Sequence, residues 1–267
     1  MKKFYFRQNA HTETMPASYT HYAVAREALK ALPDELKNKI LPHLRLYFFG
    51  AQGADFCFFY KFLDAKRKNF GSYLHREGGF AAFQALKAFA PSSPEILAYA
   101  LGFITHYAAD TLFHPFVYRI SKNSLLKHSR IENALDGYFK RSMRTSNDLY
   151  KEFFNKKLTD EEQNELFLLY AVIAAKCGYP PLSKTAFKRA IRLFNAYLPM
   201  PNAFFGSARD FGDTVVNDGA SDKEIADRLF LCAVFRTREL TENFLSCLES
   251  KTPLPADLFG KSFLTGE

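Results

Sequence analysis

The chain has no tryptophan, and only four cysteines and four methionines in 267 residues. Cys57, Cys177, Cys232 and Cys247 are scattered and form no Cys-x-x-Cys pair. Each sits among apolar residues, so buried free thiols are expected rather than a disulfide framework. No stretch reaches the roughly 18 uncharged apolar residues that a membrane span needs. The start, Met1-Lys2-Lys3-Phe4-Tyr5-Phe6-Arg7, opens like a signal peptide, but a polar segment to Ser18 follows in place of an apolar core. The expectation is a cytoplasmic protein. Alternating strand patterns, internal repeats and low-complexity tracts are also missing.

Apolar residues make up 48% of the chain and phenylalanine alone numbers 29, enough for a sizeable core. Their spacing is helical. Ser93-Pro94-Glu95 reads as an N-cap, a first-turn proline and an acidic first turn. Thr159-x-x-Glu162 and Ser221-x-x-Glu224 read as capping boxes, and Ser183 as a further cap. Helical periodicity also covers residues 23–32, 36–49 and 73–89. These elements predict an all-α fold, a single multi-helix bundle domain over residues 17–267 built around a polynuclear metal site. Residues 1–16 form an N-terminal extension.

Histidine is scarce, seven in all, and three fall in one constellation. His106, Asp110 and His114 follow at i, i+4 and i+8, which puts them on one helix face. His128 and Glu132 repeat the i, i+4 spacing shortly afterwards. Two helices presenting imidazole and carboxylate in this way point to a metal centre. Zinc suits it because it takes nitrogen and oxygen ligands together. The flanking residues are apolar, and an uncompensated charge in a core costs several kcal/mol. A bound cation removes that cost.

Other residues carry less. His43, between Pro42 and Leu44, reads as a surface or capping histidine without a nearby partner. Asp136 extends the His128/Glu132 face by one turn, either orienting His114 or His128 from behind or standing exposed. Phe56 to Phe62 reads as core, with Tyr60 as an alternative pocket residue. Asp210 and Asp213 read as turn residues. The net charge is +8. Lys184, Lys188 and Arg192 line one helix face, and Lys140, Arg141 and Arg144 cluster. These are either solvated faces or footprints for an anionic partner such as phosphate, nucleic acid or acidic lipid headgroups.

Five short segments appear together in order: Thr20-His21-Tyr22, Gly50 to Tyr60 with Asp55, Leu74-His75, His106-x₃-Asp110-x₃-His114 and His128-x₃-Glu132. With them the chain resembles the zinc-dependent phospholipase C family, whose broader superfamily includes single-strand nucleases. The resemblance runs from about Met15 to Asp136. It implies a cluster of two to three zinc ions in a helical bundle. Asp55, His75, His106 and Asp110 would hold one ion, and His114, His128 and Glu132 a second. Asp110 would bridge to a third, with His21. It also implies a metal-bridging hydroxide that attacks phosphorus, with Asp55 as ligand and general base.

Two features depart from the secreted members. They complete the third zinc with an N-terminal tryptophan, whereas this chain has none and some 20 residues precede His21. His11 or a carbonyl near Ser18 would have to serve instead. The gap between Asp110 and His114 is also shorter. The expected activity is phosphoric-ester hydrolysis of the phospholipase C type, on a phosphodiester small molecule or a phospholipid headgroup. A nuclease or nucleotidase on the same site, and a non-catalytic metal-binding scaffold, are the alternatives.

Overall fold

A computed structural model describes residues 18–61, 69–122, 124–143, 157–198 and 221–267. Among the described residues the regular structure is helical and no strand occurs. In chain order the helices are α1 (Ser18–Ala31), α2 (Asp34–Ile40), α3 (Leu44–Gly50), α4 (Phe70–Tyr73), α5 (Gly79–Phe89) and α6 (Pro94–Ser121). They continue with α7 (Leu125–Ser142), α8 (Asp160–Lys176), α9 (Lys184–Tyr197), α10 (Asp222–Glu249) and α11 (Ala256–Phe259).

Helix α6 is the axis of the molecule. Ser93 Oγ accepts from the Ile96 amide, and Pro94 supplies a preset first turn, so the helix starts where the sequence places it. It is apolar on every side between Ile96 and Ile104, which calls for burial all round. Helices α1, α3, α7 and α10 pack around it. At the α3 crossing Gly50 and Gly102 bring main chains into contact; a Cβ on either would overlap the carbonyl of Tyr99 or Tyr47. By length and composition α6 could cross a membrane, but 83% of its apolar window is buried inside the fold. It is the core helix of the bundle.

The caps on Thr159, Ser183 and Ser221 form, the first and last as complete capping boxes. Two helical spans differ from the periodicity. The apolar run 36–49 is broken by a 3₁₀ turn at Leu41–His43, because Pro42 lacks an amide proton and restricts Leu41 before it. The helix expected over 73–89 starts earlier, at Phe70, where Asn69 caps the Ser72 amide. It also contains a π turn at Leu74–Gly78. Such turns gather at functional sites, and this one carries His75.

Most of the described phenylalanines fill one continuous apolar cluster. Phe56 meets Tyr170 and Phe187 edge to face at 5.0 Å and 5.3 Å. Tyr60 is buried, and its hydroxyl accepts from the Ser183 amide at the start of α9, so it braces that helix rather than lining a pocket. All four cysteines are free thiols, but Cys232 is exposed and Cys177 half-buried, which corrects the expectation that all are buried. His43 does have a partner, Glu95 Oε1, 3.5 Å from its Nδ1. Residues 1–16, including His11, lie outside the described residues, as do Arg144, Asp210 and Asp213.

Candidate metal centre

Helix α6 presents His106, Asp110 and His114 along one face, all buried. Three further elements deliver candidate ligands to that face. The start of α1 brings His21, the 3₁₀ turn Asp55–Phe59 brings Asp55, and the π turn brings His75. Helix α7 lies alongside with His128 and Glu132, both buried. The eight side chains fall into three groups, two of which share His106, with candidate ligand atoms within 4.8 Å of one another inside each. They are His21/His106/Asp110, Asp55/His75/His106 and His114/His128/Glu132.

Asp110 joins them. Its Oδ1 lies 3.3 Å from His21 Nε2. Its Oδ2 lies 3.1 Å from His106 Nε2, 3.6 Å from His75 Nε2 and 3.8 Å from His114 Nδ1. Asp55 Oδ1 lies 3.0 Å from His75 Nε2 and 3.7 Å from His106 Nε2. Glu132 Oε1 lies 2.9 Å from His128 Nε2 and 3.4 Å from His114 Nε2.

Two histidines have their proton positions set by backbone. His75 Nδ1–H donates to the Gly71 carbonyl at 2.8 Å, and His114 Nδ1–H donates to the Phe263 carbonyl at 2.9 Å. A carbonyl can only accept, so Nδ1 carries the proton in each ring. A neutral ring then aims the Nε2 lone pair at a carboxylate oxygen, Asp55 for one and Glu132 for the other. Two lone pairs facing each other in a buried site repel unless a cation lies between them. That cation is either a proton or a metal ion.

The unpartnered atoms point the same way. Asp55 Oδ2, Asp110 Oδ2, Glu132 Oε2, both nitrogens of His106, His21 Nδ1 and His128 Nδ1 are buried without a hydrogen-bond partner. Buried polar atoms are normally satisfied, so such a concentration needs a reason. Zinc accepts this mixture of imidazole and carboxylate donors, and the residues fit it.

The electrostatics show strong mutual dependence. Burial alone would raise the Asp110 carboxyl, but His106, His114 and His21 hold it far below its ordinary range. Burial, aided by His106, pushes His21 down to about 3 against the pull of Asp110. Burial opposes a charged His114, yet Asp110 and Glu132 outweigh it and lift the ring to about 10. Burial raises Asp55, and His106 and His75 offset only part of that.

Supporting residues complete the frame. Gly53 has φ +55°, and a Cβ there would run into the His106 ring. Its carbonyl accepts from Tyr99 Oη at 3.0 Å and Tyr170 Oη at 3.3 Å, and the two hydroxyls are 2.6 Å apart. This pins the loop that turns Asp55 inward. Tyr118 packs on the His128 ring at 4.6 Å. Asp136 acts differently from the expectation. Instead of orienting His114 or His128, its carboxylate accepts from the Tyr19 and Thr20 amides and from Thr20 Oγ1, at 2.9, 2.7 and 2.8 Å. It thereby caps the start of α1 and holds the turn carrying His21. Burial pushes its carboxyl up to about 7 despite these donors. The Ser18 carbonyl, one alternative ligand for a third ion, accepts from Gln52 Nε2 at 3.1 Å.

Asp136 was visible in the sequence as a continued helix face. Tyr99, Tyr170 and Phe263 carried no signal, because their contacts with the site are made only on folding.

A family model described as zinc dependent phospholipase C matches residues 20–177, more than half of the chain. The matched stretch contains all eight clustered side chains. No curated protein and no solved structure matches the chain.

Proposed function

Because the chain belongs to the zinc-dependent phospholipase C family, we propose that it hydrolyses phosphodiesters, with two to three zinc ions held by the eight clustered side chains. The observation that carries this reading is the pair of backbone-tethered rings, His75 and His114, each aiming Nε2 at a carboxylate oxygen. Asp55, His75, His106 and Asp110 Oδ2 would hold one ion. His114, His128 and Glu132 would hold the second. His21 and Asp110 Oδ1 offer a third position with fewer ligands. When bound, zinc supplies an acidified water as nucleophile and neutralises charge on the phosphoryl oxygens.

The chain's own residues then have defined tasks. Asp55 Oδ1 faces His75, while Oδ2 is buried and unpartnered. Oδ2 is placed to take a proton in the manner of a general base. The three carboxylates, set against two divalent ions, leave the centre weakly positive, which suits a phosphodiester monoanion. The apolar wall around the ligands limits water and strengthens each charge interaction.

We read residues 17–267 as one domain, supported by the continuous apolar cluster. We assign it to the cytoplasm, supported by its free thiols. A lipid headgroup or a soluble phosphodiester is the substrate class we favour. The net charge of +8 favours nucleic acid as the second reading.

The test is a panel of zinc-loaded protein against phosphatidylcholine, a soluble aryl phosphodiester, a phosphomonoester and a single-stranded oligonucleotide. Headgroup release or aryl diester cleavage, lost on chelation and restored by zinc, supports the reading. Cleavage of the oligonucleotide alone moves the assignment to the nuclease branch. No hydrolysis in any arm by zinc-loaded protein replaces the enzyme with a metal-binding scaffold.

A further inference from the structure

The segment after α11 lies beyond the family match, yet it reaches the metal centre. Phe263 touches it by three routes. Its carbonyl accepts from His114 Nδ1 at 2.9 Å. Its amide donates to the main-chain carbonyl of His75 at 3.1 Å. Its ring lies 5.1 Å from the His75 ring and 5.7 Å from the His106 ring, and edge-on to Tyr107 at 4.9 Å. One residue therefore contacts three histidines that between them represent all three groups.

The segment is tied in place on both sides of Phe263. Tyr107 Oη donates to the Leu258 carbonyl at 3.0 Å and accepts from the Lys261 amide at 2.9 Å. Tyr107 is the residue after His106 on α6, so the anchor and the ligand ride on the same turn. Further on, the Gly266 amide donates to the Ser262 carbonyl at 2.9 Å, folding the segment back on itself. Gly79, next to the π turn, leaves room for the Phe263 ring that a Cβ would not.

We propose that Phe263 is a positioning residue of the metal centre, its carbonyl holding the His114 proton on Nδ1 so that Nε2 is the ligand atom. The inference rests on reading His114 as a zinc ligand. An imidazole has two nitrogens that can ligate, and a ring free to turn would present either one. The Phe263 carbonyl removes that freedom and makes the ligand nitrogen more basic. Weakening a partner of this kind costs about 10- to 100-fold in metal affinity.

The carbonyl can be weakened without changing a side chain. Cys247 is a natural ligation junction, so residues 247–267 can be made synthetically and joined to the rest of the chain. Replacing Leu264 by its α-hydroxy acid turns the 263–264 amide into an ester, whose carbonyl is a poorer acceptor. The change also removes the Leu264 amide, which donates to Ser262 Oγ at 3.2 Å. Ser262→Ala removes that contact alone and serves as the control.

Two readouts are taken. Zinc affinity by chelator competition should fall about 10-fold for one ion in the ester protein and stay at the wild-type value in Ser262→Ala. The His114 Nδ1 proton, followed by ¹⁵N-edited NMR in metal-free protein, should move upfield in the ester protein alone. Unchanged affinity in the ester protein overturns the proposal, whether or not the proton moves. Equal losses in the ester and Ser262→Ala proteins also overturn it, since the effect would then belong to the segment's fold. If wild-type protein takes up no zinc, the zinc reading fails. The proton shift then still reports whether the Phe263 carbonyl holds the His114 Nδ1 proton.

Discussion

Asp110 and His21 meet through the oxygen that Asp110 does not turn toward the other histidines. Oδ1 lies 3.3 Å from His21 Nε2, while Oδ2 faces His106 at 3.1 Å. One side chain thus faces two sides of the cluster, and its loss should be felt on both.

Zinc content separates bridging from terminal residues. Asp110→Ala should lower bound zinc by more than one ion per chain. His128→Ala, which touches only the Glu132 group, should lower it by about one ion. Elemental analysis after reconstitution and gel filtration reads the difference. Equal losses in the two variants would show that Asp110 does not bridge.

Metal removal should destabilise the fold. Binding to the folded state alone adds about 4 kcal/mol when free metal is a thousand times Kd. For a chain of this size that amounts to a fall of roughly 10 °C in Tm on chelation. Differential scanning calorimetry of metal-free and reloaded protein measures it. An unchanged Tm after verified removal would sink the idea of a central site.

His114 makes stability and zinc affinity respond to pH in opposite directions. Its ring is lifted to about 10 by Asp110 and Glu132, which outweigh burial. A raised histidine contributes stability that is complete below its ordinary value near 6.5 and is lost as pH rises through about 10. Metal-free protein should therefore lose stability between those limits. Zinc must displace the same proton, so its affinity should rise over that interval. Denaturant melts and chelator competition at several pH values test both slopes, and His114→Gln should flatten them.

Gly53→Ala probes the frame without removing a ligand. The position needs φ +55°, and the added Cβ would enter the His106 ring. Strain of this kind costs on the order of 1–3 kcal/mol, and the displaced ring should also lower zinc content. Circular dichroism melts with metal analysis check it. Wild-type values in both would mean that the loop is free to shift.

Asp55→Asn should reduce phosphodiester turnover by at least about 10²-fold, the lower end of what a general base contributes. His106→Ala should abolish it, because His106 belongs to two ligand groups. If Asp55→Asn loses more than about 10⁴-fold, the change has disturbed metal as well as base. Zinc content of the same preparation distinguishes the two.

Local chemistry alone determined much of this protein. The spacing of His106, Asp110 and His114 needs only the 3.6-residue turn to share a face. Ser93-Pro94 needs only its own side chain and ring to start α6. Capping boxes at Thr159 and Ser221 close within four residues. Such features involve short sequence separations, so the residues themselves state them. Pro42 could also be read this way, and the unbroken helix expected across it overlooked a constraint that the sequence already contained.

Tertiary structure decided the rest, because the remaining partners are far apart in the chain and nothing local selects them. Asp136 meets Tyr19 and Thr20 across more than a hundred residues, so its helical spacing could not reveal that it caps α1. The Phe263 carbonyl reaches His114 across 149 positions, and a carbonyl is common to every residue, so no side-chain pattern marks it. Tyr99 and Tyr170 converge on Gly53 only when α6 and α8 pack. The candidate ligands were legible because metal chemistry needs particular side chains. Their positioning depends on backbone groups and hydroxyls whose partners are chosen by packing alone.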